Sequence, residues 1–122
     1  MTQEEKILLL IDLCGRLPYG VKVHITDEWF YDKIEPYDRR LDCDVIKSIR
    51  ENQYTVKPYL RSMGSMTDEE RDEFRNVGGV MSHNLQNDTW AISAFTPEAY
   101  DWLNKYGFDY RGLIPMGLAL EA

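Results

Sequence analysis

The stretch Asp101–Ala122, DWLNKYGFDYRGLIPMGLALEA, decides how the chain ends and what its last helix must pack against. Just upstream, Thr96 is placed as an N-cap, Pro97 stands at the first helical position, and Phe95 can staple onto Tyr100. Gly107 falls where a helix C-terminus takes a left-handed residue, with Phe108 able to fold back on Leu103. The spacing predicts a helix over 97–106 followed by a docked segment. A free tail has no use for Phe108, Tyr110, Leu113, Ile114, Leu118 and Leu120.

Two more helices carry start signals. Thr2 and Glu5 form a capping box for a helix running to about Cys14, with Gly15 as its stop. Its apolar residues Ile7, Leu8, Leu9, Leu10, Ile11, Leu13 and Cys14 cover most of the circumference, and Glu5 and Asp12 mark a narrow polar stripe. Such a helix has more apolar surface than one sheet face covers, so helix 3–14 is expected between two layers or at a homo-oligomer seam. Thr67 and Glu70 form a second capping box for a surface helix over 67–77, ended by Gly78-Gly79, with only Phe74 and Val77 apolar.

Between the helices the pattern turns to period two. After the turn Pro18-Tyr19-Gly20, Val21, Val23 and Ile25 alternate with Lys22 and His24 as in a half-buried strand. Trp29 begins a second strand reaching Ile34, and Pro36 interrupts it. Residues 41–50 carry both periods: Leu41, Val45 and Ile49 fit a helix, but β-branched residues dominate, and we read a strand. Tyr54–Val56 is a short strand ended by Pro58. Val80–Ser82 and Thr89–Phe95 read as a hairpin around the polar loop His83–Asp88. The predicted fold is a single α+β domain over 1–122. A small, mostly antiparallel sheet or partly closed barrel comes from residues 20–60 plus the hairpin near 80–95, with the N-terminal and C-terminal helices packed on it.

Length and composition fit that reading: 122 residues, 43% hydrophobic and 29% charged, lie in the ordinary globular range. The net charge of −7 is uneven, with 11 acidic and 10 basic side chains in residues 1–61 against 10 and 4 in residues 62–122. That balance repels a phosphate backbone and disfavours general nucleic-acid binding. Cys14 and Cys43 are too few for a disulfide framework and form no CxxC pair, so both read as small apolar residues in a reducing compartment. The N-terminus is acidic where a secretory signal is basic, and the apolar run Ile7–Ile11 is far short of a membrane span. The expected location is cytoplasmic.

No catalytic residue, metal site or cofactor motif emerges. His24 alternates with valines on a strand, His83 sits in a polar loop, and the two lack any metal-ligand spacing. Asp42 and Asp44 lack the loop that would make a cation site. Gly78-Gly79 has no following Lys and is a helix stop, not a phosphate loop. What remains is surface chemistry. Arg39, Arg40, Lys47, Arg50, Lys57 and Arg61 put six cations into 23 residues, interleaved with Tyr37, Tyr54 and Tyr59. The functional reading is a face for an acidic partner or for RNA, with Arg39, Arg40, Lys47, Arg50, Lys57, Tyr59 and Arg61 as binding residues. The competing reading is a solvated face paired with Asp38, Asp42, Asp44 and Glu51, and the interleaving favours it.

Three segments carry a family resemblance: Asp12–Lys22, Lys57–Thr67, and the C-terminal run holding Asp101–Asn104, Phe108–Ile114 and Gly117–Ala122. Together they resemble a set of short uncharacterised proteins encoded by anaerobic gut bacteria, often within phage-like or other mobile regions. Ser62, Gly64 and the pair Tyr106-Gly107 depart from that pattern. The resemblance implies a bacterial cytoplasmic protein and carries no activity or site residue with it. The expected function is a non-enzymatic interaction or accessory protein with an unidentified protein partner. The alternative is a nucleic-acid-binding protein using the Arg39–Arg61 stretch.

Overall fold

In the computed structural model of the chain, which describes residues 1–27, 34–86, 89–94 and 96–122, the first helix, α1, spans Gln3–Arg16. Its capping box is formed as expected, the Thr2 hydroxyl accepting from the Glu5 amide and the Glu5 carboxylate from the Thr2 amide. Gly15 does not end it. An added Cβ there would meet the Asn104 amide at an ordinary 3.4 Å, so a helix position beside Asn104 does not itself require glycine. The chain turns one short 3-10 segment later, at Gly20, with φ of 72°.

The faces of α1 are reversed from the simple reading. Asp12, expected in the polar stripe, is 0% exposed, as is Arg16, while Ile7 is 49% and Ile11 53% exposed. An ion pair explains this. Arg16 grips Asp12 through two N–H bonds of 2.8 and 3.1 Å, Arg111 adds a third at 3.2 Å, and Arg16 also donates to the Phe108 carbonyl at 2.7 Å. A carboxylate so paired can be buried where a lone one could not. Leu9 and Leu13 point into the core, so any seam between copies would run over Ile7 and Ile11. Cys14, expected to be shielded, is exposed on the outer face. It should therefore react rapidly with a thiol reagent in the native protein. Slow labelling that quickens on dilution would place it beneath a second copy.

Strand β1, Lys22–Thr26, buries Val23 and Ile25 as the alternation predicts. The strand expected over 29–34 lies outside the described residues except for Ile34, which belongs to no strand, and β2 falls at Tyr37–Arg40. Residues 41–50 correct the strand reading: α2 spans Cys43–Arg50. Asp42 decides the matter, its carboxylate capping the Val45 amide at 3.0 Å, so that Leu41, Val45 and Ile49 form one buried stripe. Strand β3, Thr55–Leu60, runs through the proline expected to end it. Pro58 is tolerated because its missing N–H falls where the ladder to β1 ends and a second ladder begins.

Helix α3, Asp68–Asn76, has its predicted capping box and buries Phe74. Strands β4, Gly79–Asn84, and β5, Thr89–Ala94, form the predicted hairpin, although His83 belongs to β4 and not to the loop. Helix α4 spans Pro97–Lys105. The Thr96 hydroxyl caps the Ala99 amide at 3.1 Å and donates to the Val77 carbonyl. The expected Phe95–Tyr100 staple lies outside the described residues. Gly107 has φ of 75°, and Phe108 donates to the Leu103 carbonyl at 3.0 Å, which completes the predicted C-terminal cap.

The remaining segment is docked. Asp109 accepts the amides of Leu113 and Ile114 at 2.8 and 2.9 Å, and Leu120–Glu121 form β6, parallel to β3. The main sheet has the order β2-β1-β3-β6 and is open and mixed, which corrects the partly closed barrel. The hairpin stands as a separate two-stranded sheet. One core lies under the main sheet, where Leu9, Leu13, Val45 and Ile49 meet Val23, Val56, Leu60 and Leu113. A second gathers Phe74, Trp102, Leu103 and Phe108, with the Trp102 and Phe108 rings stacked at 5.5 Å. The fold is α+β, with helices at both ends.

Arg61 ties the two cores together. Its guanidinium grips Glu70 at 2.7 and 2.8 Å and lies 4.3 Å above the Phe108 ring. Arg61 and then the Thr67 amide hold the Glu70 carboxyl down from 4.5 to about 2. A lowered carboxyl stabilises the fold above its unfolded value and loses that contribution as pH falls toward the folded one. Glu70→Gln should therefore cost about 1 kcal/mol at neutral pH, given the partial exposure of the pair. The two proteins should converge in melting temperature between pH 4.5 and about 2. A gap that persists at the acid end would refute the linkage.

Candidate functional site

Register decides which cations share a face. In the β1–β2 ladder Lys22 stands opposite Arg40 and His24 opposite Asp38; in the β1–β3 ladder His24 stands opposite Lys57. Because Val23 and Ile25 are buried, Lys22 and His24 project to the other side, and their cross-strand partners project with them. Tyr59, also at an outward-facing position, completes the set, with the Lys22 ammonium 4.5 Å from its ring centroid.

The middle of this face is a hydrogen-bonded cluster. Asp38 Oδ1 lies 2.7 Å from His24 Nδ1 and accepts the Tyr59 hydroxyl at 3.0 Å. His24 and then Tyr59 hold the Asp38 carboxyl below its ordinary value. Burial and then the Asp38 bond push the Tyr59 hydroxyl up. An ionised carboxylate only accepts, so the His24 ring donates to it from Nδ1. By contrast, Lys57 and Arg40 have no hydrogen-bond or ion-pair partner for their side-chain charge among the described residues. A shallow cleft of about 350 Å³ opens at the end of the ladder, lined by Gly20, Lys22, Asp38, Arg39 and Arg40.

The cationic stretch expected as one unit is thus divided. Arg40, Lys57 and Tyr59 meet on the sheet face. Arg39 pairs with Asp42 across the β2–α2 turn, and its register partner is the buried Val23. Lys47 and Arg50 are exposed on α2, which packs against the opposite side of the sheet. Arg61 is engaged by Glu70 and Phe108. Lys22 and His24 were absent from the expected set. Their alternation with Val21, Val23 and Ile25 already put them on an outward face, but their neighbours there depend on strand pairing.

Among the described residues no group of three or more His, Cys, Asp and Glu converges as a metal site, and no helix is long and apolar enough to cross a membrane. No protein-family model, curated protein or solved structure matches the chain.

Proposed function

We propose that this chain is a non-enzymatic, cytoplasmic binding protein that docks an acidic segment of a protein partner on the open face of its β2-β1-β3 sheet. The observation that carries this reading is the set of Lys22, Arg40 and Lys57, which share one open face with no carboxylate bonded to any of them among the described residues. Surface charge not bonded to a carboxylate is available to an external one and speeds encounter with it.

A protein partner fits better than nucleic acid for two reasons. The chain as a whole carries −7, which repels an extended polyanion beyond the patch itself. Among the described residues, Tyr59 on this face already has Lys22 over its ring, the His24 ring against its edge and its hydroxyl bound to Asp38, so it offers no free stacking platform. The His24–Asp38 pair lies on an open surface, which suits a charge-placing role over catalysis. The resemblance to proteins of bacterial mobile regions agrees with an accessory role.

Salt-dependent retention on immobilised polyglutamate segments no longer than the patch, and on single-stranded polyuridylate, tests the reading. The native protein should be retained on polyglutamate, and the triple variant Lys22→Glu, Arg40→Glu, Lys57→Glu should elute at low salt. The double variant Lys47→Glu, Arg50→Glu should behave as the native protein. Equal loss in both variants would overturn the assignment of this face. Stronger retention with a steeper salt slope on polyuridylate would replace the protein partner with nucleic acid.

A further inference from the structure

We propose that the cleft at the Gly20 end of the β1–β2 ladder is a seat for a phosphate monoester, held between Lys22 and Arg40. This rests on reading the sheet face as a docking surface, with the phosphate carried on a modified side chain of the partner.

The first ground is an unbalanced row of charges. Lys22 and Arg40 are directly opposed across an antiparallel ladder and project to the same side. Like charges so placed repel, and a sheet gains nothing from keeping them together unless an anion sits between them. One row further along, Asp38 stands opposite His24 and is bonded to it. The Lys22 ammonium rests on the Tyr59 ring, and Arg40 has no acidic partner among the described residues. Asp38 also lines the cleft and feels the Lys22 charge, but its Oδ1 is turned to His24 and Tyr59, and its single charge leaves the two cations of this row net positive.

The second ground is how Arg40 is held. Gly20 has φ of 72°, and a Cβ built on it would lie 2.3 Å from Arg40 Nε. The guanidinium therefore lies flat on the bare glycine backbone, inside the cleft, where any other residue would lift it into solvent. Arg39 forms part of the wall but is already committed to Asp42 and to the Arg40 carbonyl. The cleft is about 350 Å³, room for a phosphate group, its ester carbon and a few waters.

The chemistry favours phosphate over a single carboxylate. A guanidinium fork takes two oxygens in plane and the lysine ammonium takes a third as a point charge. Two cations match the near-dianionic charge of a monoester at neutral pH. One carboxylate would leave the row still net positive.

Inorganic phosphate is the first probe, followed through backbone amide shifts of the whole protein at constant ionic strength. The amides around Gly20, Lys22 and Arg40 should move and saturate, and those of α2 should not. Lys22→Gln and Arg40→Gln should each weaken binding roughly tenfold or more, as expected for loss of a charge-assisted bond. Arg40→Lys should also weaken it, since charge without the fork is insufficient. Lys105→Gln, at an exposed position of α4 outside this face, should leave it unchanged. In a second arm, a short phosphoserine peptide is compared with its serine and glutamate forms. Tighter binding of the phosphoserine form supports the partner-borne source; equal binding of all three with phosphate still seated in the cleft supports a free phosphate ester.

Unsaturable shifts, or shifts the same in Arg40→Gln, would overturn the seat. If phosphate fails to bind while polyglutamate retention still depends on Lys22, Arg40 and Lys57, the seat falls and the docking face stands. Loss of both overturns both.

Discussion

Ending the chain at Gly107 should abolish cooperative folding or lower the melting temperature by many degrees. The lost segment holds Phe108 and Leu113, each 0% exposed, and Leu118 at 7%. Burial of three such side chains contributes about 4–9 kcal/mol gross, against a typical net stability of about 5–15 kcal/mol for a small domain. Ordering the segment offsets part of this, but its glycines at 112 and 117 readily adopt the left-handed turns it needs. Truncation also removes the ring stacked on Trp102, the Phe108 carbonyl bound by Arg16, and Arg111 on Asp12. The two cores would both open, exposing Trp102 and Leu113's neighbours to aggregation. A cut after Ala119, which removes only β6 and the terminal Ala122–Leu60 bond, should shift melting slightly. If the chain ending at Gly107 melts with the full one, the segment adds nothing to the fold.

What the residues disclosed in advance was local. The caps at Thr2, Thr67 and Thr96 and the turn at Gly107 are each specified within a few positions, because side-chain oxygens and a left-handed glycine act on their immediate neighbours. Where two local signals competed, the weaker-looking one won. Asp42 capping Val45 outweighed β-branched composition in residues 43–50, since a cap satisfies an otherwise orphaned amide and the Leu41–Val45–Ile49 stripe then meets the core. Pro58 was misleading for another reason: its tolerance depends on which strand borders which, and Leu120–Glu121 lie over 60 positions away. The proposed binding face was half legible for the same cause. Arg40, Lys57 and Tyr59 stood out as a charged and aromatic stretch, but only the register with β1 separates them from Lys47, Arg50 and Arg61 and joins them to Lys22 and His24.

The orientation of α1 was the least legible feature, and it leads to the second large effect. Asp12→Ala should destabilise the protein by about 3–5 kcal/mol, because it leaves the Arg16 guanidinium buried with a single carbonyl partner. Both side chains of the pair are 0% exposed, unlike Arg61–Glu70, so the loss should be several times that of Glu70→Gln. Arg111 would lose its carboxylate acceptor as well, although it keeps the Tyr110 hydroxyl at 3.1 Å and its partial exposure lets water replace the lost bond. Asp12→Asn should fall in between, since an amide oxygen still accepts one bond but carries no charge to balance Arg16. The double variant Asp12→Leu, Arg16→Met should recover much of the loss, because no buried charge is left unpaired. It should not recover all of it, since the Phe108 carbonyl then lacks the donor that now reaches it at 2.7 Å. Urea denaturation of the four proteins at neutral pH decides the matter. If Asp12→Ala costs under about 1 kcal/mol, Arg16 reaches water without its carboxylate, and the ion pair is not what turns the polar stripe of α1 inward.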